Sequence, residues 1–296
     1  MTEMEMETTM ESAENPMPVE GLTEPGQQPA APTPSGVGRW LLALSMLFML
    51  LPFQLIIGLP LLAVGLLATE GPFSTPGEVS RALDAFIETD LVIWLALVAA
   101  AIAGAAAVLV ALGWPAIMRL FGSSAPGSAA DWLAWRKPER IKLWTVPLMT
   151  LPAVVVVGYG VTALFGEPEI QIQLDLFRSP LMGAVATLVV STIVPLAEEL
   201  TFRGALYSAL LGRGPAAIRG GLRPHIVPFV VTTILFAAVH LLSGFETVGA
   251  ILQVLILSAF ITALRAVSGS VLPPLVAHMV WNFSAALLLM LGVADA

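Results

Sequence analysis

Long apolar stretches recur along the whole length of this chain and limit what it can fold into. A helix needs about 20 residues to cross a hydrocarbon core of about 30 Å, and most of the stretches approach or exceed that length. With 57% hydrophobic and only 11% charged residues, the 296-residue chain is also too apolar for a soluble domain. We therefore predict an all-α, polytopic transmembrane bundle of about seven spans, at residues 41–68, 91–120, 143–165, 181–211, 227–242, 248–266 and 272–293.

The fourth apolar stretch is longer than one crossing requires. From Leu181 to Leu211 a continuous helix would measure roughly 45 Å, which exceeds the thickness of the hydrocarbon core. Ser179 followed by Pro180 is typical of a helix start, with a capping side chain and a proline at the first helical position. The helix is therefore either tilted and bent at Pro195 or broken there into two pieces, and a break would give eight spans.

The formal charge of -8 belongs to the N-terminal segment. Seven acidic residues lie in the first 24 positions, and no basic residue precedes Arg39. Because residues 1–38 also hold few large apolar side chains, we predict a disordered acidic tail there. The charge therefore describes the tail, and nucleic-acid binding has no support. The absence of Cys excludes disulfides, Cys-ligated zinc and thiol catalysis.

The basic residues predict the orientation in the membrane. The loop between the second and third stretches mixes Arg and Lys with Trp132, Trp135 and Trp144. We interpret it as an aromatic belt with cytoplasmic positive charges rather than as a nucleic-acid patch. If the tail is cytoplasmic and each stretch crosses once, ten of the thirteen Lys and Arg face the cytoplasm. The C-terminus is then external.

Three ionisable side chains interrupt the fourth stretch, in the sequence EELTFR that begins at Glu198. Charges inside a membrane helix are costly and indicate function by default. Glu199 and Arg203 are four residues apart, so they share one helix face and can pair. Glu198 is turned by about 100° from Glu199 around the helix axis, which leaves it outside that pair. The alternative interpretation is a structural ion pair that holds two helices together.

Polar residues on two later spans can converge on Glu198. Counted from the basic loop that joins the fourth and fifth spans, Glu198 and His240 lie about 22 Å along two antiparallel helices. His278 and Asn282 are four residues apart and share one face of the last span. A carboxylate beside a neutral imidazole can deprotonate a water, and a second imidazole with a carboxamide can donate to an oxyanion. The set suits peptide-bond hydrolysis without a covalent enzyme intermediate.

Three short motifs carry these residues in a fixed order. Residues 198–203 match EExxxR, residues 236–240 (FAAVH) match FxxxH, and residues 278–282 (HMVWN) match HxxxN. In this order and rough spacing they resemble the CAAX-protease and bacteriocin-processing family of intramembrane endopeptidases, to which the eukaryotic prenyl-protein protease is related. The resemblance covers about residues 179–290.

The resemblance implies a role for each matching residue. Glu198 is the base that activates water, and His240 helps to hold that water. His278 and Asn282 stabilise the oxyanion. The other charged residues of the first motif support the geometry of the site: Glu199 and Arg203.

A metal-dependent mechanism is the alternative that this family suggests. Glu198, His240 and His278 form a candidate His₂Glu zinc set with a fourth position for a water. The sequence has no HExxH motif, and Asn282 beside His278 is a better oxyanion donor than metal ligand. We therefore expect no cofactor and keep zinc as the alternative.

The resemblance also divides the chain into N-terminal transmembrane helices at 39–165 and a catalytic transmembrane core at 179–293. We predict an endopeptidase that cleaves a membrane-associated protein or peptide, and leave open whether that substrate is prenylated. The expected partners are membrane lipid and a membrane-associated or lipidated peptide. The expected location is a bacterial inner membrane, with a cytoplasmic N-terminus and a site that opens to the cytoplasm. The alternative is a non-catalytic immunity or scaffolding protein of the same fold that binds a peptide or partner.

Overall fold

In this computed structural model, the described residues are 36–50, 52–70, 75–87, 89–120, 128–166, 179–212, 223–241 and 247–290. Within these ranges the chain forms helices and no strand, which confirms the predicted all-α fold. The predicted tail lies outside the described residues up to position 35. Residues 36–38 already belong to the first helix.

Besides a short 3₁₀ turn at Arg223–His225, the described residues form ten helices, which we number in chain order. They are α1 (Gly36–Leu50), α2 (Pro52–Glu70), α3 (Pro76–Ile87), α4 (Asp90–Leu120), α5 (Ala129–Leu133), α6 (Thr145–Phe165), α7 (Pro180–Leu211), α8 (Ile226–Leu241), α9 (Val248–Ser268) and α10 (Leu272–Met290).

Seven helical segments are long and apolar enough to cross a membrane, which confirms the predicted number of spans. The first of them combines α1 and α2, and the others are α4, α6, α7, α8, α9 and α10. Large apolar side chains such as Leu109 and Val156 are exposed on their outer faces. An apolar exterior of this extent suits lipid rather than water, so the chain is an integral membrane protein.

The long helix α7 runs without a break, so the eight-span alternative is not found in this part of the chain. Its hydrogen bonding changes instead, because two π-helical segments, Val189–Ile193 and Leu200–Leu206, interrupt the α-helical pattern. A π segment bonds each N–H to the carbonyl five residues earlier and is often found at functional sites. The segment between them, Val194–Glu199, carries both glutamates of the first motif.

The first π segment explains how α7 accommodates Pro195. The N–H of Val194 bonds to the carbonyl of Val189, five residues earlier. At the same spacing the carbonyl of Val190 would need a donor from Pro195, which has no N–H. The side-chain amide of Asn282 donates to that carbonyl at 2.8 Å instead. The helix therefore continues through the proline because another helix supplies the missing hydrogen bond.

Small residues bring α4 close to α7. Ala99, Ala103 and Ala107 are buried on one face of α4. A Cβ added to Gly104 would lie 3.1 Å from a side-chain carbon of Ile193 on α7. This close packing of small residues is a common way for membrane helices to associate. It places the N-terminal helices directly against the helix that carries the glutamates.

The loop that precedes α6 is not the simple interfacial belt that its composition predicts. Trp135 and Trp144 are exposed, as expected for a belt, whereas Trp132 on α5 is 1% exposed. The ring of Trp132 packs edge-on against Trp114 of α4, with 6.4 Å between ring centroids. The prediction is therefore wrong for Trp132, because α5 folds back onto the helices and buries its apolar face.

Candidate active site

The charged pair predicted from the first motif is present and fully buried. Arg203 donates from one terminal nitrogen to Oε1 of Glu199 at 3.0 Å, and both side chains are 0% exposed. A carboxylate and a guanidinium that lie four residues apart share one helix face and are expected to pair. Because Glu199 is committed to this contact, Glu198 is the less occupied of the two carboxylates.

Helix α9 holds the rest of the Arg203 guanidinium. Its Nε donates to the Thr262 hydroxyl at 3.2 Å, and its second terminal nitrogen donates to the Ser258 hydroxyl at 2.7 Å. The same nitrogen also lies 3.3 Å from the Ser258 carbonyl. A buried charge is tolerated only when its donors are satisfied, and here every nitrogen of the guanidinium has an acceptor. Arg203 is therefore fixed in one orientation.

His278 joins the two glutamates. Its Nδ1 lies 2.8 Å from Oε1 of Glu199, and its Nε2 lies 3.7 Å from Oε2 of Glu198. The first distance is a hydrogen bond, whereas the second is too long for one. His278 is 2% exposed and Glu198 is 17% exposed, so the glutamate stands at the more accessible side of the imidazole.

These contacts fix which nitrogens carry protons. An ionised Glu199 only accepts hydrogen bonds, so Nδ1 of His278 carries a proton and donates it to the carboxylate. A carboxylate placed in this way orients an imidazole and stabilises its protonated form. Nε2 of His278 then faces Glu198 and is available as an acceptor in the neutral ring or as a donor in the protonated ring.

His240 joins the cluster through its packing on Phe236. Nδ1 of His240 is 2.8 Å from the carbonyl of Phe236, one turn earlier on α8. Because a carbonyl only accepts, Nδ1 is the donor, and Nε2 of a neutral His240 has the acceptor lone pair. The four-residue spacing brings the ring within reach of this carbonyl, and the contact seen in the structure assigns the tautomer of His240.

Phe236 connects the residues of all three motifs, a role that the sequence does not reveal. Its ring centroid lies 4.5 Å from that of His240 and 5.7 Å from that of His278. The guanidinium carbon of Arg203 lies 4.3 Å from the same centroid, a distance at which a cation is attracted to the ring. Phe202 packs edge-on against it at 5.1 Å. This shared apolar contact brings the two imidazoles and the charged pair into one cluster.

Asn282 lies one turn beyond His278 on α10, but its observed contact is with the backbone of α7. Its amide nitrogen donates to the carbonyl of Val190, as described above. One of its two amide hydrogens is therefore used to join α10 to α7. The structure brings Glu198, Glu199 and His278 together directly, whereas the contact of Asn282 is with α7 at Val190, eight residues before Glu198.

A set of polar residues on α9 belongs to the cluster and was missed by the sequence reasoning. Ser258, Thr262 and Arg265 follow the spacing of four and then three residues, which places them on one face of an apolar helix. All three are buried. The positive-inside count includes Arg265 among the cytoplasmic residues, whereas the structure buries it in contact with α7. The sequence could have indicated this set through the spacing of the three polar residues, which lie on one face of an otherwise apolar span.

The arrangement of the candidate zinc ligands bears on whether they could hold a metal ion. Among the residues that the structure describes, no group of three or more His, Asp or Glu side chains is placed to hold a metal ion. Nδ1 of His278 is also occupied by its hydrogen bond to Glu199. We therefore assign no reaction step to a metal, and the expectation of no cofactor, with zinc as its alternative, stays a prediction.

Comparison with known proteins identifies the segment that contains this cluster. Residues 180–284 match the family described as type II CAAX prenyl endopeptidase Rce1-like. The match spans α7, α8, α9 and most of α10, and it confirms the resemblance drawn from the three motifs. No curated protein and no solved structure matches the chain.

Proposed function

We propose, on the premise that residues 180–284 belong to the Rce1-like endopeptidase family, that this chain hydrolyses peptide bonds within the membrane. The family supports a CAAX-type endopeptidase. The assignment of individual residues to steps of the reaction is our own proposal, and it follows from the contacts of the two glutamates with His278.

The observation that carries the assignment is the unequal environment of the two carboxylates. Glu199 accepts from both Arg203 and His278 on one oxygen and is completely buried. Glu198 lies 3.7 Å from Nε2 of His278 and is partly exposed. A water can contact both of these atoms at hydrogen-bond distance from one side. Glu198 is therefore the carboxylate that can take a proton from a water, and Glu199 is the one that orients the imidazole.

The reaction proceeds by direct attack of that water. Its oxygen forms a bond to the carbonyl carbon of the scissile peptide while Glu198 accepts one of its protons. The neutral His240 accepts a hydrogen bond from the same water through Nε2. The proton on Glu198 then passes to the leaving nitrogen, and the carbon–nitrogen bond breaks to give an amine and a carboxylic acid, which keeps the second proton of the water until it ionises in solvent.

The intermediate of this reaction carries a negative oxygen that needs donors. His278 in its protonated form has an N–H at Nε2 and is stabilised by Glu199 on its other nitrogen. The second amide hydrogen of Asn282 is the other proposed donor. Removing one such donor typically lowers kcat by about 10²- to 10³-fold.

The substrate is proposed to be a membrane-associated peptide, with a prenylated CAAX protein as the first candidate. The polar cluster is carried by helices that are long and apolar enough to span a membrane, so a substrate anchored in lipid can approach it laterally. A lipid anchor also concentrates the peptide at the membrane surface. The expected partners are therefore membrane lipid and a lipidated peptide.

The test is cleavage of a quenched prenyl-peptide and a panel of hydrophobic peptides by purified protein. Glu198→Gln and His240→Ala are compared with wild type, and Glu139→Gln is the matched control because Glu139 is exposed and distant in sequence from the motifs. We expect Glu198→Gln to lower kcat by about 10²- to 10⁴-fold, as for loss of a general base. The control is expected to stay at the wild-type rate.

Chelator treatment of the wild type separates the two mechanisms. Retained activity is expected for the glutamate-based reaction, whereas loss that zinc restores would replace it with the metal-dependent alternative. Wild-type activity in Glu198→Gln would refute the role of Glu198. No turnover of any peptide by folded wild type, together with saturable binding of one, would favour the non-catalytic immunity or scaffolding function.

A further inference from the structure

The second π segment of α7 leaves one backbone carbonyl to be satisfied from outside the helix. At its end the N–H of Tyr207 bonds to the carbonyl of Phe202, five residues earlier. When α-helical bonding resumes at Tyr207, the next N–H, that of Ser208, bonds to the carbonyl of Gly204, four residues earlier. The carbonyl of Arg203 is passed over by this change of spacing, and a buried carbonyl without a donor is costly.

Arg265 of α9 supplies that donor. Its Nε donates to the Arg203 carbonyl at 2.8 Å, and a terminal nitrogen donates to the Ser208 hydroxyl at 3.3 Å. Its guanidinium carbon lies 4.9 Å from the ring centroid of Tyr207. Arg265 is 3% exposed. Its contacts in the described part of the chain are a carbonyl, a hydroxyl and a ring, and none is a carboxylate, so it serves α7 as a donor rather than as half of an ion pair.

The first π segment is completed in the same way from another helix. There the carbonyl of Val190 lacks a helical donor because of Pro195, and Asn282 donates to it at 2.8 Å. Glu198 and Glu199 therefore stand between two π segments, and a side chain from another helix satisfies a carbonyl in each. The turn angle per residue differs between π and α helices, so the relative direction of Glu199 and Arg203 depends on the hydrogen-bond pattern being kept.

We propose that Arg265 is a positioning residue that fixes the π-helical register of residues 200–206 and so aims Arg203 at Glu199. The consequence for catalysis rests on the proposed function, because Glu199 is there the residue that orients His278. Arg265 touches neither the water nor the scissile bond, and it acts through the backbone of Arg203.

The matched test compares Arg265→Gln with Arg265→Met. The amide nitrogen of glutamine is separated from Cα by the same number of carbons as Nε of arginine, so it can donate to the same carbonyl. Methionine has a similar length and no donor. Both substitutions remove the charge, so the donor alone differs between them. Neither leaves a buried unpaired charge, which favours folding of both variants.

Two measurements are made on each variant. In peptide cleavage, we expect Arg265→Met to lower kcat at least about tenfold with KM within about threefold, and Arg265→Gln to keep kcat within about threefold of wild type. In amide hydrogen exchange, we expect faster exchange across residues 200–208 in Arg265→Met and near-wild-type exchange in Arg265→Gln. If the role of Arg265 did not depend on its hydrogen-bond donor, kcat would not fall selectively relative to KM, and glutamine would not restore kcat.

Equal loss of kcat in both variants, or unchanged kcat and exchange in Arg265→Met, would overturn the proposal. If Arg265→Met does not yield folded protein, Arg265→Lys replaces it, since lysine keeps the charge but places its nitrogen one atom further out. The proposal then requires glutamine to retain more activity than lysine, and the reverse order contradicts it. If folded wild type cleaves no peptide, the proposed function fails, and the hydrogen-exchange comparison still decides the role of Arg265.

Discussion

Replacing Glu199 with leucine would leave the guanidinium of Arg203 buried without its carboxylate. Both side chains are 0% exposed and 3.0 Å apart, so water cannot compensate for the loss. Removal of one partner of a buried ion pair costs about 3–5 kcal/mol. Glu199→Leu also removes the acceptor of the His278 hydrogen bond at 2.8 Å. We therefore expect the free energy of unfolding to fall by about 3–5 kcal/mol.

The double variant Glu199→Leu/Arg203→Met distinguishes a pairwise interaction from two independent losses. Arg203→Met alone should be about as destabilising as Glu199→Leu, because it leaves the buried carboxylate without its cation. With both charges removed, an apolar pair of similar volume can pack in their place, and a coupling energy of at least about 2 kcal/mol is expected. Activity should stay below wild type in the double variant, since His278 has lost the carboxylate that orients it.

The assay is equilibrium unfolding in mixed detergent and dodecyl sulfate micelles, followed by circular dichroism and combined with peptide cleavage. Glu139→Leu, at an exposed position, serves as the control and should change stability by less than about 0.5 kcal/mol. The reasoning is refuted if either single variant loses less than about 1 kcal/mol, or if the two losses add to within about 0.5 kcal/mol.

Three further substitutions test how the helices around the site are held. Gly204→Ala is expected to destabilise the protein by about 1–3 kcal/mol, because the new Cβ would lie 3.2 Å from a side-chain carbon and 3.3 Å from the carbonyl oxygen of Leu133; unchanged thermal unfolding would contradict the close approach of α5. Tyr207→Phe removes the buried hydroxyl 2.7 Å from Nδ1 of His225 and should cost about 1–3 kcal/mol in the same assay. Ser179→Ala removes the N-cap of α7 and should lower the free energy of unfolding by about 1 kcal/mol. An unchanged free energy of unfolding would contradict the cap.

The spans could be predicted because their length and composition are set by the bilayer rather than by particular neighbours. Six of the seven predicted segments begin and end within three residues of the helices that the structure describes. Position 242 of the fifth segment and positions 291–293 of the last segment lie outside the described residues. The pairing of Glu199 with Arg203 was predictable for a similar reason, since a spacing of four residues fixes their separation on one helix.

The outcome at Pro195 could not be predicted in this way. The sequence favours neither a bend nor a break, because the result depends on whether a donor from another helix satisfies the freed carbonyl. Asn282, on a span nearly ninety positions later, provides that donor. Trp132 illustrates the same limit, since its burial depends on α5 folding against Trp114 and not on the charges around it.

By itself, the sequence determined the all-helical membrane fold, the number of spans and the motifs that contain Glu198, Glu199 and His278. These follow from local quantities, namely apolar length, helical spacing and the order of three motifs. The tertiary structure alone decided which glutamate is enclosed, which nitrogen of each histidine carries a proton, and that Arg265 and Phe236 belong to the cluster. These depend on contacts between helices, and a carbonyl released in one helix can be satisfied only by the side chain that packing brings to it.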